Sequence, residues 1–164
     1  MNILLKLKSW QIFLIWIFGA IQMQIFMNTD FWYISMGIYL GLIFGWIYSI
    51  GRVLNRHIAK QIKKLNIWSI IYLVSMMPMV IRFHDFVSRS GERFHILILI
   101  VSGIIGFVSL INIGIISAKA LKEKENGLKL KFTEYLLEFF LILYFIIGVW
   151  FIQPRLNKII MMKK

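Results

Sequence analysis

The stretch FHILILIVSGIIGFVSLINIGIIS, residues 94–117, carries no charged residue except one histidine and is apolar over its whole length. An α-helix rises about 1.5 Å per residue, so about 20 apolar residues cross the hydrocarbon core of a bilayer. This stretch is long enough to do so. It predicts a membrane-spanning helix.

Four other apolar runs approach the same length. Hydrophobic residues make up 60% of the 164 residues and the mean hydropathy is +0.79, above the usual range of soluble domains. A water-soluble fold of this size could not bury that much apolar surface. We therefore predict an all-α, polytopic transmembrane bundle in one domain, residues 1–164, with five spans. The predicted spans are residues 10–27, 31–50, 65–81, 94–117 and 132–152.

Tryptophans support these boundaries, because Trp prefers the headgroup level of a bilayer. Five of the six lie near the ends of predicted spans, and only Trp16 lies well inside one. The third span is the shortest, and Pro78 removes a backbone donor near its end, so we expect it to be short or kinked there. The five near the ends are Trp10, Trp32, Trp46, Trp68 and Trp150.

Lysine and arginine predict the orientation, because cytoplasmic connections are enriched in them. With five spans, twelve cations fall on the side of the N-terminus and seven on the other. This count predicts a cytoplasmic N-terminus and an outer C-terminus. The basic tail, with Arg155, Lys158, Lys163 and Lys164, fits the cytosol better. Four spans, with the third run lying in the membrane interface, therefore stay an alternative.

The connection 52–65 is basic and amphipathic. Leu54, Ile58, Ile62 and Leu65 share one helical face. We interpret this segment as an extension of the second helix along the membrane surface, with its cations facing anionic headgroups. Docking of a protein partner is the alternative. The cations are Arg52, Arg56, Lys60, Lys63 and Lys64.

Small residues recur every four positions on the second predicted span, at Gly37, Gly41, Gly45 and Ser49. In lipid, such a stripe lets two helix backbones approach closely. The partner is either another helix of the same chain or a second protein, including a second copy. Within the chain, a similar patch at Ser102, Gly106 and Ser109 is the natural candidate.

Glu138 is the only acidic residue well inside an apolar run. A carboxylate at membrane depth is costly unless it is paired or hydrated, so it is a candidate for handling protons or cations. That role requires its helical face to point into the bundle. The alternative is a ladder of Lys131, Glu134 and Glu138 near the cytoplasmic surface.

No sequence motif names a reaction. Without cysteine there is no disulfide, thiolate ligand or Cys nucleophile. His84, Asp85 and His95 could bind a metal, but their spacing is not diagnostic and interfacial anchoring explains them better, so we predict no metal site. We predict no cofactor and no nucleic-acid partner, because the cations lie between apolar runs, where they fix topology and attract lipid.

Three stretches carry a resemblance. They are KLKSWQ at residues 6–11, GWIYSIG at 45–51, and the C-terminal part from Glu138 to Lys158, with EFF at 138–140 and QPRLNK at 153–158. Together they resemble a group of small multi-pass bacterial membrane proteins of no known activity. The resemblance implies a bacterial cytoplasmic membrane and no particular chemistry.

Three functional hypotheses follow. The first is a non-catalytic membrane protein that acts through packing with itself or a partner, such as an accessory, immunity or defence component. The second is a small channel or proton-coupled transporter using Glu138. The third is a membrane-embedded lipid enzyme using His84, Asp85 and His95.

Overall fold

The computed structural model describes the backbone of residues 3–26, 29, 32–88, 93–127 and 130–161. Side chains are described over residues 5–26, 29, 34–78, 96–127 and 130–160. Within these ranges the chain is almost entirely helical and contains no strand. The helices are α1 Ser9–Ile25, α2 Trp32–Leu54, α3 Ala59–Ser88, α4 Arg93–Asn126, α5 Leu136–Leu143 and α6 Phe145–Met161.

Helix α4 is the centre of the bundle. It packs most extensively against α3, then against α2 and α5, and it touches α6. Helix α1 lies on α2 and α6. Large apolar side chains such as Phe18, Ile70 and Phe107 are more than half exposed, as expected of helices that face lipid.

Among the described residues, two helices are long and apolar enough to cross a membrane, over Ile34–Leu54 and Ile96–Asn126. The pair α5 and α6 would make a third if it formed one span, and α1 is a shorter apolar helix. The all-helical membrane class predicted from the sequence is therefore confirmed, whereas the number of spans is not.

The basic connection is divided between two helices. Helix α2 ends at Leu54, where the Asn55 side-chain amide donates to the Gly51 carbonyl at 2.9 Å, a local contact that competes with helix continuation. Helix α3 then begins at Ala59 and continues for 30 residues, through Pro78. Half of segment 52–65, residues 59–65, is thus the first part of α3, and only residues 52–54 extend α2.

The fifth predicted span is broken. Helix α5 ends at Leu143, Tyr144 leaves helical geometry with ψ of 65°, and α6 continues at an angle of 118° to α5. Gly148 allows this bend, because a Cβ atom at that position would overlap the carbonyl group of Leu141. The two helices therefore form a hairpin, which we call the α5–α6 hairpin.

Candidate functional site

Glu138 lies in the first turn of α5 and points into the bundle. Its side chain is 1% exposed. Its Oε1 atom accepts from Lys122 Nζ of α4 at 2.9 Å and from Arg155 Nη2 of α6 at 2.8 Å. One carboxylate oxygen thus links three helices.

Arg155 extends this network to a second carboxylate. Its Nε donates to Glu125 Oε1 at 2.6 Å, and its Nη2 also contacts Glu125 Oε2. This is the paired geometry in which a guanidinium binds a carboxylate most strongly. We call Lys122, Glu125, Glu138 and Arg155 the charge cluster. With two cations and two anions it is formally neutral, which lowers the cost of burying Glu138.

The second carboxylate oxygen of Glu138, Oε2, is not paired with either cation. Oε2 is buried and has no hydrogen-bond partner among the described residues. Leaving a buried acceptor unpaired costs about 1–3 kcal/mol. A carboxylate oxygen in this state is a suitable acceptor for a water molecule.

The ladder of Lys131, Glu134 and Glu138 does not form. Glu134 is exposed, and its Oε2 accepts from the backbone N–H of Lys131 at 2.6 Å, capping the short 3₁₀ turn before α5. Glu138 lies one turn further on, where Lys122 and Arg155 meet it. The requirement that its face point into the bundle is met.

Gln153 forms a second buried polar centre, and the sequence analysis missed it. Its Oε1 accepts from Trp46 Nε1 at 3.0 Å, and its Nε2 donates to the carbonyls of Leu5 and Leu7 at 3.1 and 2.9 Å. Its exposure is 0%. Gln153 therefore ties the N-terminal segment and α2 to α6. The only available clue was an amide in an otherwise apolar run, one residue beyond the predicted span.

Both polar centres lie at the same end of the bundle. In a straight helix, Arg155 would stand roughly 25 Å along the axis from Glu138. The hairpin brings the two into contact, and Gln153 brings α6 to the N-terminal segment. The start of the basic tail thus joins the N-terminal lysines, the first turns of α3 and the end of α4 at what we call the basic end.

The small-residue stripe on α2 is partly open. Ser49 is buried, but Gly41 is exposed, and a Cβ atom there would have no neighbour within 4 Å. Ile38 and Ile34, one and two turns before Gly41, are 46% and 45% exposed. This part of α2 faces away from the described bundle.

The second small-residue patch packs elsewhere. A Cβ atom on Gly106 would overlap Met76 and meet Ser75, both on α3. The patch at Ser102, Gly106 and Ser109 therefore belongs to the α3–α4 contact. As a partner for the α2 stripe it was the wrong expectation, because Gly106 faces α3.

The metal candidates cannot be assessed by geometry. His84 and Asp85 fall in the last turns of α3 and His95 in the first turn of α4, and their side chains lie outside the described residues. Among the described residues, no group of three or more His, Cys, Asp or Glu side chains could hold a metal ion.

No family model, curated protein or solved structure matches this chain significantly. The resemblance to small bacterial membrane proteins thus stays a prediction, and the function has to be argued from the chain's own geometry.

Proposed function

We propose that this chain is a non-catalytic integral membrane protein that acts by helix association through the outer face of α2, with a second copy of itself. The accessory, immunity and defence roles belong to this class. The observation that carries the proposal is the open space around Gly41.

Comparison with other glycines in the described helices shows why the open space around Gly41 is unusual. Glycine lowers helix stability by about 1 kcal/mol relative to alanine, so in a helix it is best explained by a close neighbour. Within the described residues, a Cβ atom on Gly51, Gly106 or Gly148 would come within 3 Å of another residue of this chain, and one on Gly19 or Gly114 would make an ordinary contact at 3.4 Å. Gly41 has no neighbour of this kind, although it lies within the stripe of four small residues on α2. A helix from another molecule would supply the missing neighbour.

The experiment is the native mass of the protein released from lipid nanodiscs. We expect a defined oligomer for the wild type and a monomer for Gly41→Leu, because the larger side chain separates the backbones. Val108→Leu is the matched control, since Val108 is 43% exposed on α4 and the change also adds bulk to a lipid-facing surface. A monomeric wild type, or an oligomer that tolerates Gly41→Leu, would contradict the proposal.

For the topology, we propose a bacterial cytoplasmic membrane, a cytoplasmic basic end, four crossings by α1–α4, and a re-entrant α5–α6 hairpin. The contact between Arg155 and Glu125 supports an even number of crossings, since it returns the tail to the end of α4. Helix α5 is only 8 residues, about 12 Å, less than half the hydrocarbon thickness. The tail cations then add to the cytoplasmic side, as the positive-inside tendency favours.

Single cysteines test this topology directly, because the chain has none. We expect Lys158→Cys and Lys124→Cys to react with an impermeant maleimide from the same side of the membrane. The five-span alternative predicts opposite sides for these two positions.

The unpartnered Glu138 Oε2 favours a second candidate, a proton- or cation-conducting protein. It predicts flux in proteoliposomes that changes sharply in Glu138→Gln. Lys158→Gln, which alters an exposed charge on the same hairpin, is the control. Equal flux from the wild type and Glu138→Gln would exclude the role.

The lipid-enzyme hypothesis stays a prediction. It requires an enzymatic activity on lipid that is lost when His84, Asp85 and His95 are replaced by Ala.

A further inference from the structure

An open cavity of about 480 Å³ lies at the basic end, beside the turn from α2 to α3. Its polar lining comes from Arg56, His57, Lys63 and Asn66. None of the described residues that line it is acidic. Two cations with no nearby lining carboxylate make this cavity suited to an anion.

Hydrogen bonds orient the polar lining. Arg56 Nε donates to His57 Nε2 at 2.8 Å, so the two terminal NH₂ groups of the guanidinium remain as the donors suited to phosphate. The Tyr48 hydroxyl donates to Asn66 Oδ1 at 2.9 Å, which holds the Asn66 side chain in place. Ala59, the first residue of α3, also lines the cavity, so the positive end of the helix dipole adds to the attraction.

An apolar groove of about 500 Å³ runs along the α3–α4 contact from the same place. Ile70 lines both the cavity and the groove. The α3 side of the groove extends from Ile70 to Pro78, about 12 Å of helix rise, and Val101 lines it from α4. The polar cavity at the charged end and the apolar groove along the helices therefore adjoin each other at Ile70.

We propose that the cavity and groove form one binding site for an anionic phospholipid, with the phosphate headgroup at Arg56 and Lys63 and an acyl chain along Ile70 toward Pro78. Charge complementarity selects the headgroup, and a basic pocket between helices at the headgroup level is a common way to bind anionic lipid. The site is more specific than attraction to a basic surface, because Lys60 and Lys64 lie on the same helical turns but outside the cavity lining.

That difference provides a matched test. Two double variants with equal loss of charge are compared with the wild type. The first combines Arg56→Gln with Lys63→Gln, and the second combines Lys60→Gln with Lys64→Gln. Each protein is released from nanodiscs containing phosphatidylethanolamine and phosphatidylglycerol. Native mass spectrometry then measures the anionic lipid retained. We expect the first variant to retain about thirtyfold less anionic lipid than the wild type, because its two lost cations contribute about 1 kcal/mol each. The second variant should stay within about twofold of the wild type. Equal losses in both variants, or no loss in the first, would overturn the site.

Two further arms test the source of the phosphate and the groove. Excess glycerol phosphate should not displace the lipid, because it lacks an acyl chain. Complete displacement would show a site for free phosphate instead.

Val101→Trp fills the groove without touching the cations and should lower the amount of anionic lipid retained severalfold. Unchanged retention in this variant would contradict the combined site. Neither arm depends on α2 association, so the Gly41 experiment can fail while this site holds, and the reverse.

Discussion

Gly41 on α2 and Gly148 on α6 are the same residue type in two apolar helices, yet their surroundings are opposite. Gly148 lies against the Leu141 carbonyl of its own chain, whereas the position of a Cβ on Gly41 is empty. One glycine shapes the fold of the monomer and the other leaves a surface open. A small residue in an apolar run thus predicts close approach to a helix, but not to which one.

The largest effect should come from Gly148→Ala. The added methyl group overlaps a backbone carbonyl, which cannot move as a flexible side chain could, so the hairpin has to open. We expect a loss of about 3 kcal/mol or more, at the upper end of overpacking costs. Thermal unfolding in nanodiscs measures it.

Gly41→Ala is the control that sharpens the comparison. It makes the same chemical change on a helical surface that is open within one chain, where alanine is the better helix former, so the stability of the monomer, measured at one copy per nanodisc, should be unchanged or slightly higher. Equal destabilisation by Gly148→Ala and Gly41→Ala would contradict the difference in packing described for these two glycines.

A second prediction concerns the charge cluster that the hairpin assembles. Arg155→Gln removes one of two cations from the buried Glu138 and the only cation described at Glu125. Breaking a buried pair costs about 3–5 kcal/mol, and Arg155 is 30% exposed, so we expect roughly 1–3 kcal/mol. Chemical denaturation in mixed micelles measures the change.

Lys158→Gln provides the matched control, because it removes the same charge from an exposed position three residues later. It should change stability by less than about 0.5 kcal/mol. Combining Arg155→Gln with Glu138→Gln should cost less than the sum of the single changes. Additive losses would indicate that the two side chains do not interact.

These residues also show which features of the fold and the site could be predicted from the sequence. The membrane class follows from apolar run lengths, and the candidacy of Glu138 follows from its isolation in such a run. Its partners did not follow, because Lys122 reaches it only when α5 packs back against α4, and Arg155 only after the chain reverses at Tyr144. That reversal has no local marker such as proline. It depends on the contact between Gly148 and Leu141, which periodicity does not reveal.

Trp46 shows the same limit on a smaller scale. Its position near the end of a predicted span indicates an interfacial anchor, and it does lie toward the basic end. The side chain is nevertheless 1% exposed, donates to Gln153 and packs edge-on against Phe145 at 5.1 Å between ring centroids. Aromatic position along the sequence predicts depth in the membrane, whereas burial depends on which helix packs beside it.

The smallest of the three effects is expected for Gln153→Leu, which keeps the side chain's approximate size but removes its amide. The Trp46 N–H and the Leu5 carbonyl then lose their partner in a buried site, and the Leu7 carbonyl keeps only the Asn157 amide, at a cost of about 1–2 kcal/mol. The loss should fall mainly on the N-terminal segment, so hydrogen exchange near Leu7 should accelerate more than exchange in α4. Adding Trp46→Phe removes the unpaired indole N–H, so the double variant should lose less than the two single changes together. If exchange instead accelerated equally in both regions, Gln153 would be holding the whole bundle together and not only the N-terminal segment.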